Sequence, residues 1–193
     1  MPHWSSLWRP IITMAGLLLV IQVVMLHFYG QPTICRCGYV ELWQSIGDPD
    51  TNSQQIIDWY TFSHVVQGLL FYFVLWYFFP KIPMPARFLI VVGGQFLWEV
   101  IENTPLIIHL YQLQAVSKTY MGDSIVNSFT DTLAVAVGFA LALRLPPQVT
   151  ILIGFGIELA MLFTIRDDLL LNTVNFVHQF DFIRDWQLAG YST

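Results

Sequence analysis

Charge is the scarcest property of this sequence. Eight basic and 13 acidic side chains among 193 residues amount to 11% charged content, where a soluble domain carries about 25%. The net charge of -5 is spread thinly, and no basic stripe with interleaved aromatics exists, which excludes nucleic acid as a partner. Internal repeats and low-complexity tracts are absent, so the pattern is that of one membrane domain rather than a repeat array. H-E-x-x-H, G-x-S-x-G and a phosphate-cradling glycine loop are also missing, so no catalytic motif names a reaction. Cysteine is confined to Cys35 and Cys37. A disulfide across one intervening residue closes a small ring, and a lone C-x-C lacks the other ligands of a zinc site. Free thiols are the expectation, with a redox or intermolecular pair as the alternative.

What the chain has in excess is apolar length. Hydrophobic residues make up 55% and aromatics 16%, with seven Trp, and the mean hydropathy is +0.59. Trp4, Trp8, Trp59, Trp76, Trp98 and Trp186 lie near the ends of apolar runs, where amphipathic rings seat at a lipid-water interface. A bilayer core takes about 20 apolar residues per helix. Five windows qualify: 10–29, 60–79, 86–103, 123–143 and 148–165. Prolines punctuate them at Pro80, Pro83, Pro85, Pro105, Pro146 and Pro147, because proline removes a helical hydrogen bond and restrains the residue before it. The first window has only Arg9 before it and no small-x-small site after Tyr29, so it reads as an anchor that stays rather than a secretion signal. The expected fold is an all-α polytopic membrane helical bundle, a single integral membrane domain over 1–193 with about five transmembrane helices. Residues 168–186 alternate apolar and polar positions near helical period, which predicts a C-terminal amphipathic helix in the interface or a soluble helix packed on the loops.

Five spans place the termini on opposite sides. The N-terminus and the two tight turns carry Arg9, Lys81, Arg87 and Arg144 without an acidic residue, while the other side mixes Arg36, Lys118, Arg166 and Arg184 with acids that include Glu41, Asp48, Asp50, Asp58 and Asp123. Short basic turns mark the cytoplasmic side. The expectation is a multi-pass protein of a bacterial plasma (inner) membrane, with a cytoplasmic N-terminus and a periplasmic C-terminus.

Helix direction then gathers the polar residues. The second span starts, the third ends, the fourth starts and the fifth ends on the same side, so His64 and Gln67, then Glu99, Glu102 and Asn103, then Asp123, Asn127 and Asp131, and finally Arg166 fall in one leaflet. At about 100° per residue, Gln95, Glu99, Glu102 and Asn103 share a stripe, and Asp123, Asn127 and Asp131 descend another. A charge facing lipid costs about 2.5–3.5 kcal/mol at the bilayer centre, so these groups are expected to face inward. Carboxylates crowded with an imidazole and few cations repel unless some are protonated or hold a cation. The bland alternatives are interhelical hydrogen bonding and capping, with Asp58 and Asp123 placed as N-caps and Gly93-Gly94, Gly138 and Gly154-x-Gly156 as close-approach points. Arg166 suits a helix C-terminus or a pair with Asp167; Glu158 stands isolated in the fifth span.

The segments DWYTFSHVVQGLLFY (58–72), WEVIENTPLII (98–108), YMGDSIVNSFTDTLAVAVGFALA (120–142) and RDDLLLNTVN (166–175) resemble uncharacterised protein family 0314, also called domain of unknown function 2585. That resemblance covers nearly the whole chain and implies a multi-pass plasma-membrane protein; it brings no established activity. A looser resemblance is to VanZ-like membrane proteins, with Asp58, His64, Glu99 or Glu102, and Ser124, Asn127 and Asp131 in comparable places, although the order of Asn and Asp is reversed.

Three functions compete. In the first, His64, Glu99, Glu102 and Asp131 hold a divalent cation (Mg, Mn, Ca or Zn), with His64, Glu99 and Asp131 as the catalytic set and Gln67, Asn103, Asp123, Asn127 and Arg166 as a substrate or structural polar pocket. Such a site is a hydrolase or transferase centre for a lipid or lipid-linked headgroup. In the second, the protein is a non-catalytic membrane component that binds lipids or joins a protein partner in the membrane. Transport ranks third, because five spans without a repeat offer no alternating-access pair.

Overall fold

A computed structural model describes residues 5–44, 53–114 and 117–191; Trp4, Asp48 and Asp50 lie outside the described residues. Eight helices follow in order: α1 Ser5–Phe28, α2 Trp59–Phe78, α3 Met84–Glu102, α4 Pro105–Gln112, α5 Ile125–Arg144, α6 Pro147–Ile165, α7 Leu169–Val177 and α8 Asp181–Tyr191. Apart from an isolated bridge between Trp43 and Ile57, the described residues are helix, turn and loop. Five helices (α1, α2, α3, α5 and α6) are long and apolar enough to cross a membrane, so the chain is a helical membrane bundle.

The ends of these helices follow from local chemistry. Asp58 caps α2 in a capping box: its side chain accepts from the Tyr60 and Thr61 N–H groups, and Thr61 returns a bond to the Asp58 N–H. Pro85 and Pro147 sit in the first turns of α3 and α6, where a missing N–H costs little. Arg87 is buried and donates to the Pro80 and Ile82 carbonyls, closing the α2–α3 turn from inside. Pro10 does not begin α1, which starts at Ser5; so near the N-terminus it removes only a bond at the helix's weakest end.

Packing runs inside out relative to a soluble domain. Ile12, Leu152, Phe155 and Phe163 are exposed, as lipid-facing side chains are. Gln22, Gln95, Glu99, Asn127, Ser128 and Thr132 are among the most buried, and a small apolar cluster of Val91, Val135 and Phe139 lies below them. The tightest pairing is α2 on α5, with α1 against α3, α3 against α5, and α6 along α2. Two glycines make the α2–α5 crossing. A Cβ at Gly138 would run into the Val65 carbonyl, and one at Gly68 into the Val135 carbonyl, so the backbones touch. The other expected approach points do less: Gly94 and Gly156 face open space, and Gly93 and Gly154 meet only a leucine methyl.

The tail departs from expectation. It forms two short helices, α7 and α8, with extended His178 capping the first. Asp168 caps α7, accepting from Leu171 N at 2.7 Å. Glu158 Oε1 has no hydrogen-bond partner. Cys35 and Cys37 are joined in a disulfide rather than free; the turn in which Gly38 N donates to Cys35 O at 3.0 Å brings the sulfurs together.

Replacing Gly138 with leucine is expected to lower stability by about 1–3 kcal/mol, since the added side chain has only backbone to displace. Gly156→Leu should change it by less than about 0.5 kcal/mol. Denaturant unfolding in detergent, followed by helicity, checks this; equal tolerance of both changes contradicts the crossing.

Candidate functional site

The glycine crossing sets the register of the site. His64 lies one turn from Gly68 on α2, and Asp131 lies two turns from Gly138 on α5, and His64 Nε2 comes to 3.7 Å from Asp131 Oδ2. Glu99 reaches the same place from α3: ligand atoms of His64, Glu99 and Asp131 all lie within 4.8 Å of one another, as do those of Glu99, Glu102 and Asp123. Glu99 belongs to both groups.

Glu99 is 1% exposed and fully bonded. Gln95 Nε2 donates to its Oε1, and Ser128 Oγ donates to its Oε2 at 2.6 Å. Gln22 of α1 donates to Ser128 Oγ at 2.8 Å and accepts from Thr132 at 2.9 Å. This chain of bonds ties α1, α3 and α5 through one carboxylate, the role interhelical polar groups play where no hydrophobic force drives helices together. Ser128, weighed in the sequence as interhelical glue or part of a site, serves as glue here, while Gln22 does not stand out in the sequence because it carries no charge.

In front of Glu99 lies a cavity of about 300 Å³, at the end of the bundle where α2 and α5 begin and α3 ends. His64, Gln67, Glu102, Asp123 and Asp131 line it; so do Trp98, Tyr111, Tyr120 and, from α7, Asn172 and Phe176. Among the described residues that line it, none is Lys or Arg. Asp131 is 4% exposed, and its Oδ1 has no hydrogen-bond partner. His64 Nδ1 lies 3.1 Å from both Gln67 Oε1 and Gln95 Nε2. It can donate to the first or accept from the second, and that choice decides whether Nε2 presents a lone pair or a proton toward Asp131.

Other expected positions are corrected. Asp123 is not an N-cap: Ser124 caps α5, accepting from Asn127 N at 3.2 Å. Asp123 therefore does not share a helix face with Asn127 and Asp131. Its Oδ1 accepts from Tyr120 OH at 2.9 Å and its Oδ2 from Asn103 Nδ2 at 2.9 Å. Asn127 is buried behind the wall, donating to the Gln55 carbonyl at 2.9 Å, and Asn103 likewise holds Asp123 without lining the cavity. Arg166 turns away altogether: it donates to Trp186 O at 2.7 Å and stacks on the Trp186 ring. Asp167 bonds Tyr60 OH at 2.9 Å instead of Arg166. The aromatic lining and α4 carry no charge pattern to mark them, whereas α7 falls within the periodic tail 168–186.

Burial dominates the loop acids. It pushes Asp123 up to about 6 and Asp167 up to about 7, and raises Tyr111 and Tyr120, which face carboxylates.

Geometry and fold together define a polytopic helical membrane protein with an acidic internal cavity. The family profile described as "Protein of unknown function (DUF2585)" matches residues 26–189, and the chain belongs to that family. It is similar to a UPF0314 protein of Brucella anthropi, 41% identical over 170 residues, 88% of this chain and 86% of that one. A UPF0314 protein of Rhizobium meliloti is 43% identical over 169 residues, 88% and 86% of the two chains. One from Sphingopyxis alaskensis is 41% identical over 176 residues, 91% and 94%. These relatives are all bacterial; the looser VanZ likeness gains no support from them. No solved structure matches the chain.

The raised loop acids give a signed pH dependence. An unfolded aspartate titrates near 4, so between about pH 4 and the raised values of Asp123 and Asp167 the folded state holds protons the unfolded chain has released. Stability is thus expected to rise as pH falls from 8 toward 5, and to decline in the other direction through about 6 and 7. The unfolding temperature in detergent at pH 8.0 and 5.5, compared for wild type and Asp123→Asn, measures it: a higher value at the lower pH and a smaller difference in the variant are expected, and a flat wild-type profile contradicts the assignment.

Proposed function

We propose that the protein sits in the bacterial plasma membrane with its N-terminus cytoplasmic, and that its cavity opens to the outer leaflet, holds a divalent cation and acts as a hydrolase or transferase on a lipid or lipid-linked headgroup. The observation that carries this reading is the unpartnered, buried Asp131 Oδ1 beside His64 and Glu99, in a cavity whose described lining has no Lys or Arg. A buried carboxylate without a partner is expensive. A cation among His64, Glu99 and Asp131 would give that oxygen its partner.

The ligand set is oxygen-rich with one imidazole, which suits Mg or Mn and admits Zn. With Gln67 accepting from Nδ1–H, the His64 Nε2 lone pair turns to the cation, and Gln67 fixes the tautomer as outer partners of metal-bound histidines do. A cation held by these residues would supply Lewis-acid polarisation of a phosphoryl or ester oxygen, and Glu102 and Asp123, which line the same cavity, would be placed to take up a proton. Membrane lipids are the natural source of substrate for a cavity at this depth, and Arg9, Lys81 and Arg144 at the opposite end support the orientation.

Manganese binding by electron paramagnetic resonance, on purified wild type and Asp131→Asn, tests the cation, with about tenfold or greater weakening expected in the variant. A lipid profile of a deletion strain tests the chemistry: a species is expected to change, and to be restored by wild type but not by Asp131→Asn. An unchanged profile with full complementation by the variant contradicts the enzyme reading and leaves a non-catalytic membrane component.

A further inference from the structure

The cavity has a second wall that the cation does not use. Trp98 of α3, Phe176 of α7, Tyr111 of α4 and Tyr120 form a continuous row of rings, with centroids 6.0 Å apart for Trp98–Phe176, 5.6 Å for Tyr111–Phe176 and 5.2 Å for Tyr111–Tyr120. All four line the cavity. Each ring is tilted or edge-on to the next, so the row presents ring surface in more than one direction.

Two carboxylates line the cavity beside this row, Glu102 and Asp123. Asp123 accepts from Tyr120 and Asn103, one on each oxygen. The wall therefore offers negative field and aromatic surface, while the open acceptor, Asp131 Oδ1, belongs to α5 on the cation side of the cavity. A primary ammonium brings three N–H donors that need acceptors. A fully methylated ammonium brings none, and is held by ring faces and by charge at a distance. Volume agrees: about 300 Å³ lies at the lower end of small-ligand pockets and exceeds what one metal ion needs.

We propose that the cavity selects lipids bearing a quaternary ammonium headgroup, seated against Trp98, Tyr111, Tyr120 and Phe176. The inference rests on reading the cavity as a headgroup site and names the class of headgroup. The ammonium occupies the aromatic wall, and because the described lining provides no basic side chain for the phosphate to which it is linked, the wall recognises the headgroup by its ammonium alone.

The test is direct binding to purified protein in EDTA, so that it is independent of any metal, using dihexanoyl lipids below their micelle concentration with choline, ethanolamine or glycerol headgroups. The choline lipid is expected to bind about tenfold or more tightly than the other two. Phe176→Leu and Trp98→Leu should each weaken it about fivefold or more, while Tyr111→Phe, which keeps the ring, retains the preference. Equal affinity for all three headgroups overturns the proposal, as does wild-type affinity in both leucine variants. Choline selectivity without manganese binding keeps this inference and removes the cation; manganese binding without headgroup selectivity does the reverse.

Discussion

Two helix backbones meet at Gly68 and Gly138, and the meeting of His64 with Asp131 follows from that contact. Lipid supplies no hydrophobic force between helices, so a bundle in lipid closes by backbone approach and by polar side chains that find each other. The α2–α5 crossing does the first, and it brings His64 and Asp131 to the same depth on facing helices. Glu99 does the second. Bonded by Gln95 on its own helix and by Ser128 across the gap, and through Ser128 to Gln22 of α1, it fastens three helices at one point. Only then does the cavity exist, because α3 is held far enough forward for Glu102 and Trp98 to form its wall.

A division of labour among the acids emerges from this. Glu99 is saturated and sits behind the surface, so its first contribution is architectural, and its share in a cation site is a second use of the same oxygens. Asp131 has an oxygen with nothing to accept from. Asp123 is engaged by a hydroxyl and an amide, and together with Glu102 it gives the aromatic wall its negative field. Four carboxylates that look alike in the sequence thus occupy three distinct environments, and those environments, more than the residue types, define what the cavity can hold.

Much of this was readable in advance, for reasons that can be stated. The apolar runs and their prolines mark the membrane helices because the bilayer imposes a length and proline a stop. His64, Glu99, Glu102 and Asp131 stand out because charge in an apolar run is costly enough to demand a reason. Residues whose role is neutral were harder. Gln22 and Gly68 look ordinary until a facing helix is placed. Asp123 reads as a cap by its position after Gly122, yet Ser124 takes that place and frees it. The break at His178 splits a periodic tail that looked continuous, since period does not reveal where a helix stops. Arg166 pairs with a ring twenty residues on, a distance no local pattern spans.

The account stands on one electrostatic claim: buried acids from separate membrane helices share a cavity whose charge is balanced by a bound cation. Metal ligands bind in their deprotonated form, so cation entry releases the protons its ligands carry. The most direct measurement is therefore proton release, read with a pH indicator as manganese is added to lightly buffered protein in detergent near pH 6. The account predicts saturable release that reaches a plateau with the bound metal. Saturable metal uptake with no proton released, or no uptake at all, contradicts it.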